Sequence, residues 1–441
     1  MAMRKFPTVV LLILAAQFTA AQSIPTDVAA KAFEVARQID TEDGGRLWGM
    51  SVCGPMILAD SQTHDVVANQ PDKEGKLKQN GNVWVGKLPN EFTPANFATE
   101  WAGVRWTMLM WPIPSEPRDR RRLIAHECFH RIQPELKLPA VDATNGHLDT
   151  AIGRLWLQLE WRALERALME QGTARREAIT DALTYRSIRQ KLFDSAKDRE
   201  NTLMMNEGLA EYTGYRLAYA NEVDLRAAAV AALHDGPLKS TFARSFAYVS
   251  GPAYGILLDA TGKPWRKKLS PNSDLGVLLT TEMSWNLHYP VFLQMSKLSE
   301  AASLKSTKKY GIDDLIASET DRDVKRQAQI ADLKKRFIDG PVLVLPPMSK
   351  FSYGFNPNNV ISLDDNTIIY PWVRVTDDWG VLEANGGMLV RENGRIKKVV
   401  VPASKDTNGS SLKGEDWKLD LAPGWKVVAG ERSGDETLKK E

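Results

Sequence analysis

Residues 122–132 read RLIAHECFHRI, and the pattern inside it, His126-Glu127-Cys128-Phe129-His130, decides how the rest of the chain is read. In an α-helix, residues four apart share a face, roughly 40° apart in projection, so two imidazoles at that spacing converge on one ion. A carboxylate directly after the first histidine projects at a neighbouring angle and reaches a water on the same ion. The segment has the marks of a helix. Ser115 and Asp119 are candidate caps, Leu123, Ile124, Cys128 and Ile132 form an apolar stripe, and Pro134 stops the run.

A site that keeps one position open for water takes three protein ligands, so one more is expected from another element. Residues 203–219, LMMNEGLAEYTGYRLAY, read as a buried helix carrying Glu207 and Glu211 four apart. Unpaired buried carboxylates are costly, so each needs a reason. Metal binding supplies one for Glu207. Glu211, one turn on, is placed to accept the outer N–H of a ligand histidine and fix its tautomer. The bland alternatives are two histidines in an ordinary helix and two solvent-facing glutamates.

HECFH followed by NEGLAEY resembles the gluzincin class of zinc peptidases, which includes the thermolysin-like and aminopeptidase-like families. Carried over position by position, the resemblance implies one zinc per chain on His126, His130 and Glu207, with Glu127 as general base. Tyr248-Val249-Ser250-Gly251 is similar to the tyrosine-x-x-glycine segment of aminopeptidase-like gluzincins, which implies that the Tyr248 hydroxyl steadies an oxyanion. Tyr254 is its nearest rival, and a core tyrosine is the bland reading. The glycine-rich motif with a glutamate that captures a free α-amine in classical aminopeptidases is not visible before His126. The resemblance spans roughly residues 103–260. It implies a hydrolase acting on a peptide or protein substrate.

Outward from this core the pattern predicts an α+β chain with a mainly helical, zincin-like catalytic core. Residues 22–115 form its amino-terminal α/β part: a helix to about 42, then β-prone runs LWGMSV, DVVANQ, NVWVGKL and GVRWTMLMW. The last run, 103–111, is expected to lie along the cleft and pair with an extended substrate. Residues 116–340 form the helical part with the zinc site. It holds two long helices in 150–200, candidates for covering the site, and a polar surface helix at 322–338. GPVLVLPP (340–347) reads as a hinge. Residues 341–441 read as a β-sandwich or barrel of six or so strands, a packing or docking module, with the last ten residues a loose tail.

The chain has 441 residues, 43% hydrophobic and 25% charged, ordinary for a globular protein. Residues 1–21 combine a basic start, a short apolar run and a small-residue exit, the pattern of a secretory signal peptide cleaved after Ala21. Its apolar run is shorter than the ~20 residues a spanning helix needs. Export to a periplasm or the extracellular space is the expectation, with no membrane span after cleavage. Cleavage removes Arg4 and Lys5, leaving Lys plus Arg equal to the 55 acidic residues. A formally neutral chain lacks the basic excess of a nucleic-acid protein. The basic runs RDRRR (118–122) and WRKKL (265–269) read as solvated faces.

Cys53 and Cys128 read as two buried thiols, a disulfide being the alternative. His147 reads as a surface-turn histidine that could instead line the cleft, and His64, His234 and His288 carry no assigned role. Asn408-Gly409-Ser410 fits a glycosylation acceptor but is read as chance. Two rival functions remain. One is a non-catalytic exported protein whose zinc is closed off by a fourth ligand such as His147 or Glu211. The other has no metal and makes both motifs coincidences. Oligomeric state is not legible.

Overall fold

The computed structural model describes residues 24–89, 92–284, 306–355, 360–364, 366–392, 395–404 and 409–441. The run read as a signal peptide, His288, the Asn393-Gly394 turn and Asn408 lie outside them. Helix α1 (Thr26–Asp43) is followed by β1 (Met56–Asp60), β2 (Asp65–Ala68), β3 (Lys78–Asn80), β4 (Val83–Lys87), β5 (Phe97–Trp101) and β6 (Val104–Trp111). They form one sheet in the order β3-β4-β2-β1-β6-β5, in which β1 and β6 run parallel and the other neighbours antiparallel. Side chains alternate faces along a strand, so the sheet has two apolar sides. Met56, Leu58, Val67 and Leu109 join the helical core, while Ile57, Ala59, Val66 and Met108 join a separate cluster on the other side.

Two expectations are corrected in this region. LWGMSV is no strand but a turn, because its Trp48 is held against Phe129 at 5.0 Å and donates from Nε1 to Thr213 Oγ1 at 3.0 Å. The run 103–111 does form β6, but it is not an edge. Its backbone is occupied on one side by β1 and on the other by β5, so β5 is the sheet's rim at this end.

Helix α2 (Pro117–Ile132) carries the HECFH motif. It starts on Glu116, whose side chain accepts the Asp119 N–H at 2.8 Å, with Pro117 in the first position, where its missing N–H costs nothing. The caps are therefore not Ser115 or Asp119. The RDRRR run is not simply solvated either. Arg121 Nε donates to the Leu217 carbonyl at 2.6 Å and Arg122 Nη1 to the Tyr215 hydroxyl at 3.2 Å, tying α2 to a later helix. WRKKL behaves likewise, with Arg266 Nη1 donating to the Tyr212 hydroxyl at 2.6 Å.

The middle of the chain is helical, as expected: α3 (Ala151–Met169), α4 (Gly172–Leu192), α5 (Ala196–Leu203), α6 (Leu209–Ala218), α7 (Glu222–Asp235), α8 (Ser245–Asp259), α9 (Leu275–Ser284) and α10 (Ile312–Lys334). A π-turn, Met204–Gly208, joins α5 to α6 inside what the sequence reads as one helix. The pair α3 and α4 belongs to the core. Trp161 of α3, 1% exposed, donates to Ser250 Oγ of α8 at 2.8 Å. Among described residues of α10 only Leu315 and Glu319 are buried, which fits a polar surface helix.

Helix α8 crosses the π-turn closely enough that a Cβ on Gly251 would collide with the Gly208 backbone. A second collision, between a Cβ on Gly255 and the Tyr212 ring, lies one turn on. This glycine seam sets α8 directly against the residues around Glu207. Gly251→Ala is expected to destabilise the fold by about 1–3 kcal/mol through overpacking and to weaken metal retention. Thermal unfolding and metal titration check this, and an unchanged pair of values would remove the seam's role.

The last hundred residues form two stacked sheets. The strands are β7 (Val342–Leu345), β8 (Ser352–Phe355), β9 (Ile361–Ser362), β10 (Thr367–Tyr370), β11 (Val373–Asp377), β12 (Gly380–Ala384), β13 (Gly387–Glu392), β14 (Arg395–Pro402), β15 (Ser411–Lys413), β16 (Trp417–Leu421), β17 (Trp425–Ala429) and β18 (Glu436–Lys440). The first sheet has the order β17-β18-β7-β14-β13-β10-β9 and the second β15-β16-β12-β11-β8. Leu343, Leu345, Val375, Trp379, Leu389 and Leu419 fill the space between them. The expected six or so strands undercount this sandwich. The expected hinge is β7, paired with both β14 and β18, and the expected tail is β18. Both segments are short and read as linkers until their partners are known.

Candidate metal centre

Three side chains from two elements meet beneath α8. His126 and His130 project from α2, and Glu207 projects from the π-turn. His126 Nε2 lies 3.2 Å from His130 Nε2, and Glu207 Oε2 lies 3.4 Å from the first and 3.6 Å from the second. Two ligands on a tetrahedral ion with bonds of ~2.0–2.1 Å stand about 3.3 Å apart. The three atoms match that spacing, and this group can hold a metal ion.

The outer nitrogens of both imidazoles are also occupied. His126 Nδ1 donates to Glu211 Oε2 at 2.7 Å, and His130 Nδ1 donates to Gln133 Oε1 at 2.9 Å. Those bonds direct both Nε2 lone pairs inward, the arrangement that raises ligand basicity and fixes ring orientation. Glu211 therefore sits behind a histidine, where the sequence places it. Gln133 was not read from the sequence. Its signal was its position three residues after His130, on the same helix face. Gln133 is fully buried and donates in turn to the Pro139 carbonyl at 2.8 Å and to Asn206 Oδ1 at 3.2 Å.

The electrostatics of the cluster favour a cation. Burial penalises a charged His126, but its bonds to Glu207 and Glu211 outweigh this and push its pKa up to about 10. His130 is raised in the same way, its contact with Glu207 overcoming burial. Burial also works against the Glu207 carboxylate, yet the two histidines hold it well below the usual range. A divalent ion would take the place of the protons these carboxylates now attract.

Glu127 is 5% exposed and its Oε2 has no hydrogen-bond partner among the described residues. Burial raises its pKa, while His126 and His130 pull it back. A buried carboxylate oxygen without a partner, beside a group that can hold an ion, is free to accept a hydrogen bond.

Tyr248, on α8, donates from its hydroxyl to Glu207 Oε2 at 2.6 Å, and its ring stacks on His126 at 5.6 Å with an 8° tilt. Burial, then the Glu207 charge, pushes that hydroxyl well above its ordinary pKa, so it stays a donor. Tyr254 is elsewhere, donating to Glu160 at 2.7 Å. Arg244, one turn before Tyr248, was also missed. Its Nη2 donates to Glu207 Oε1 at 2.7 Å.

His147 lines neither the cleft nor the surface. It is 5% exposed in a short turn, Gly146–Asp149, with Nε2 2.9 Å from Glu200 Oε1. Cys53 and Cys128 are both buried and free, and Cys128 takes no part in the metal group. His64 bonds the Pro89 carbonyl at 3.0 Å, and His234 is exposed on α7.

Comparison with known protein families, curated proteins and solved structures finds no match to this chain.

Proposed function

We propose that the chain is an exported zinc-dependent hydrolase of peptide bonds, built on a zincin-like core of the gluzincin kind. The observation that carries this reading is the three-atom group of His126, His130 and Glu207 with the unpartnered carboxylate of Glu127 beside it. Nitrogen and carboxylate donors at tetrahedral spacing suit zinc. When bound, zinc supplies Lewis acidity that activates water and polarises a carbonyl.

The chain's own residues divide the remaining work. His126 and His130 present Nε2, and Glu207 presents Oε2. Glu127 accepts a proton from the attacking water and delivers it to the leaving amine. Tyr248 turns its hydroxyl from Glu207 to the developing oxyanion. An extended substrate pairs with the rim strand β5, which packs beside α2. Export rests on the amino-terminal pattern of residues 1–21. No helix among the described residues is long and apolar enough to cross a membrane.

The rival reading, a non-catalytic zinc site closed by a fourth protein ligand, loses its two candidates. Glu211 is engaged behind His126, and His147 is engaged with Glu200 in a separate cluster. The test is the metal content of the purified chain beside His126→Ala. About one zinc per wild-type chain, lost in the variant, is expected, with cleavage of a peptide library by the wild type alone. Wild type prepared without chelators and free of stoichiometric metal would end the hydrolase reading.

A further inference from the structure

We propose that Arg244 is the positioning residue for Glu207, and the link that ties the carboxy-terminal sandwich to the metal centre. The inference rests on the reading of His126, His130 and Glu207 as a metal site. Arg244 is the N-cap residue of α8, four residues before Tyr248, and both side chains reach Glu207. Its Nη2 donates to Glu207 Oε1 at 2.7 Å, and its Nη1 donates to Asp142. The two oxygens of Glu207 are thereby given separate tasks. Oε1 faces outward to Arg244 and, at 3.4 Å, to Asn206 Nδ2. Oε2 faces inward to the two histidines and the Tyr248 hydroxyl.

A charge-assisted bond from a guanidinium is among the stronger ones a carboxylate accepts, and it is directional. With Oε1 held this way, Glu207 offers an ion one oxygen rather than two. That preserves the open position a hydrolytic site needs. The planar fork matters, since Arg244 must hold two carboxylates at once, which a lysine ammonium does with no fixed plane. Solvent screening is weak here, because the side chains of Arg244 and Glu207 are 13% and 8% exposed.

The guanidinium is seated from the other side by the sandwich. Its Cζ lies 5.7 Å above the ring of Phe355, the last residue of β8. Phe355 is braced in turn, edge-on, against Tyr370 of β10 with centroids 4.6 Å apart. The junction between Asp142, Arg244, Phe355 and Tyr370 leaves a space of only about 30 Å³. A shift of the sandwich against the helical region is therefore felt at Arg244, and through it at Glu207. This gives the carboxy-terminal domain a part in the metal centre besides packing or docking.

The experiment uses the full chain loaded with cobalt(II), whose visible spectrum reports the number of ligands, together with zinc affinity by chelator competition. The variants are Arg244→Met, Arg244→Lys and Phe355→Ala. Arg244→Met is expected to bind one cobalt per chain with an altered spectrum, as Oε1 becomes free, and to lose zinc affinity about 10–100-fold. Arg244→Lys should fall between it and wild type, and Phe355→Ala should move both readings the same way by less. A folded Arg244→Met with wild-type spectrum and affinity overturns the positioning role. If Arg244→Met does not fold, Arg244→Lys with both wild-type readings overturns it instead. Phe355→Ala identical to wild type, when an Arg244 variant changes both readings, overturns the link to the sandwich. Wild type that binds neither metal ends the metal reading itself, an outcome distinct from the others.

Discussion

On the proposed function, Glu127→Gln is expected to keep one metal ion per chain and to lose about 10²–10⁴-fold in peptide hydrolysis, the share of rate a positioned base supplies. The substitution preserves shape and volume, and Glu127 is no member of the three-atom metal group, so loading should survive. What disappears is the acceptor. Glu127 Oε2 has no partner among the described residues, so the side chain does no structural work there that an amide would disrupt. Stability should accordingly change little or rise, since removing an unpaired buried carboxylate relieves a cost. Metal analysis, thermal unfolding and peptide turnover on one preparation separate these effects. Full turnover with metal still bound would show that the proton goes elsewhere.

Arg189→Met should destabilise the fold by about 3–5 kcal/mol, the usual result of removing one partner of a buried ion pair. Arg189 of α4 is 1% exposed. It donates from Nε and Nη2 to the two oxygens of Glu200 at 2.9 and 2.8 Å, and from Nη1 to Glu160 at 2.5 Å. Glu160 also accepts from Tyr254, and Glu200 contacts His147, so one cation joins α3, α4, α5, α8 and the Gly146–Asp149 turn. Methionine fills the volume and leaves two buried carboxylates without it. Burial works against the Glu200 carboxylate, but Arg189 outweighs it and holds the pKa far below the ordinary value of 4.5. A depressed folded pKa gives stability that is present above the unfolded value and is lost as pH falls. Wild type should therefore weaken on acidification below about pH 4.5, and Arg189→Met should show a flatter acid limb. Chemical denaturation between pH 3 and 7, run on both proteins, reads the magnitude and the slope together. Equal stability at pH 7 would refute the prediction.

The metal group was legible because its chemistry is local. The four-residue spacing of His126 and His130 places two imidazoles on one face of any helix, and the same spacing of Glu207 and Glu211 sets one carboxylate facing both imidazoles and the other behind His126. The α3–α4 pair was legible through its periodicity and α2 through its apolar stripe and Pro134, whereas α10 was read only from 322 onward, by its polarity, and begins ten residues earlier at Ile312. Capping was misread, because Glu116 with Pro117 does the work assigned to Ser115, one residue before, and to Asp119, three residues after. The strands were harder. Val342–Leu345 and Glu436–Lys440 are short runs whose meaning depends on pairing with each other across about ninety residues of chain, the first also pairing with β14. LWGMSV has strand-forming residues, yet Trp48 is claimed by Phe129 and Thr213, and tertiary packing overrode the local preference.

What the sequence by itself determined is the set of groups able to grip an ion and the helical frame of two of them, since spacing along a helix is a property of the chain alone. Which sheet strand is a rim, which buried charges are paired, and which residue holds the second oxygen of Glu207 were decided only in three dimensions. Arg244 and Phe355 act across contacts between separate elements, and no local pattern encodes such a contact. It exists because the Gly208–Gly251 approach lets α8 lie against the π-turn, and because the sandwich packs Phe355 onto the guanidinium.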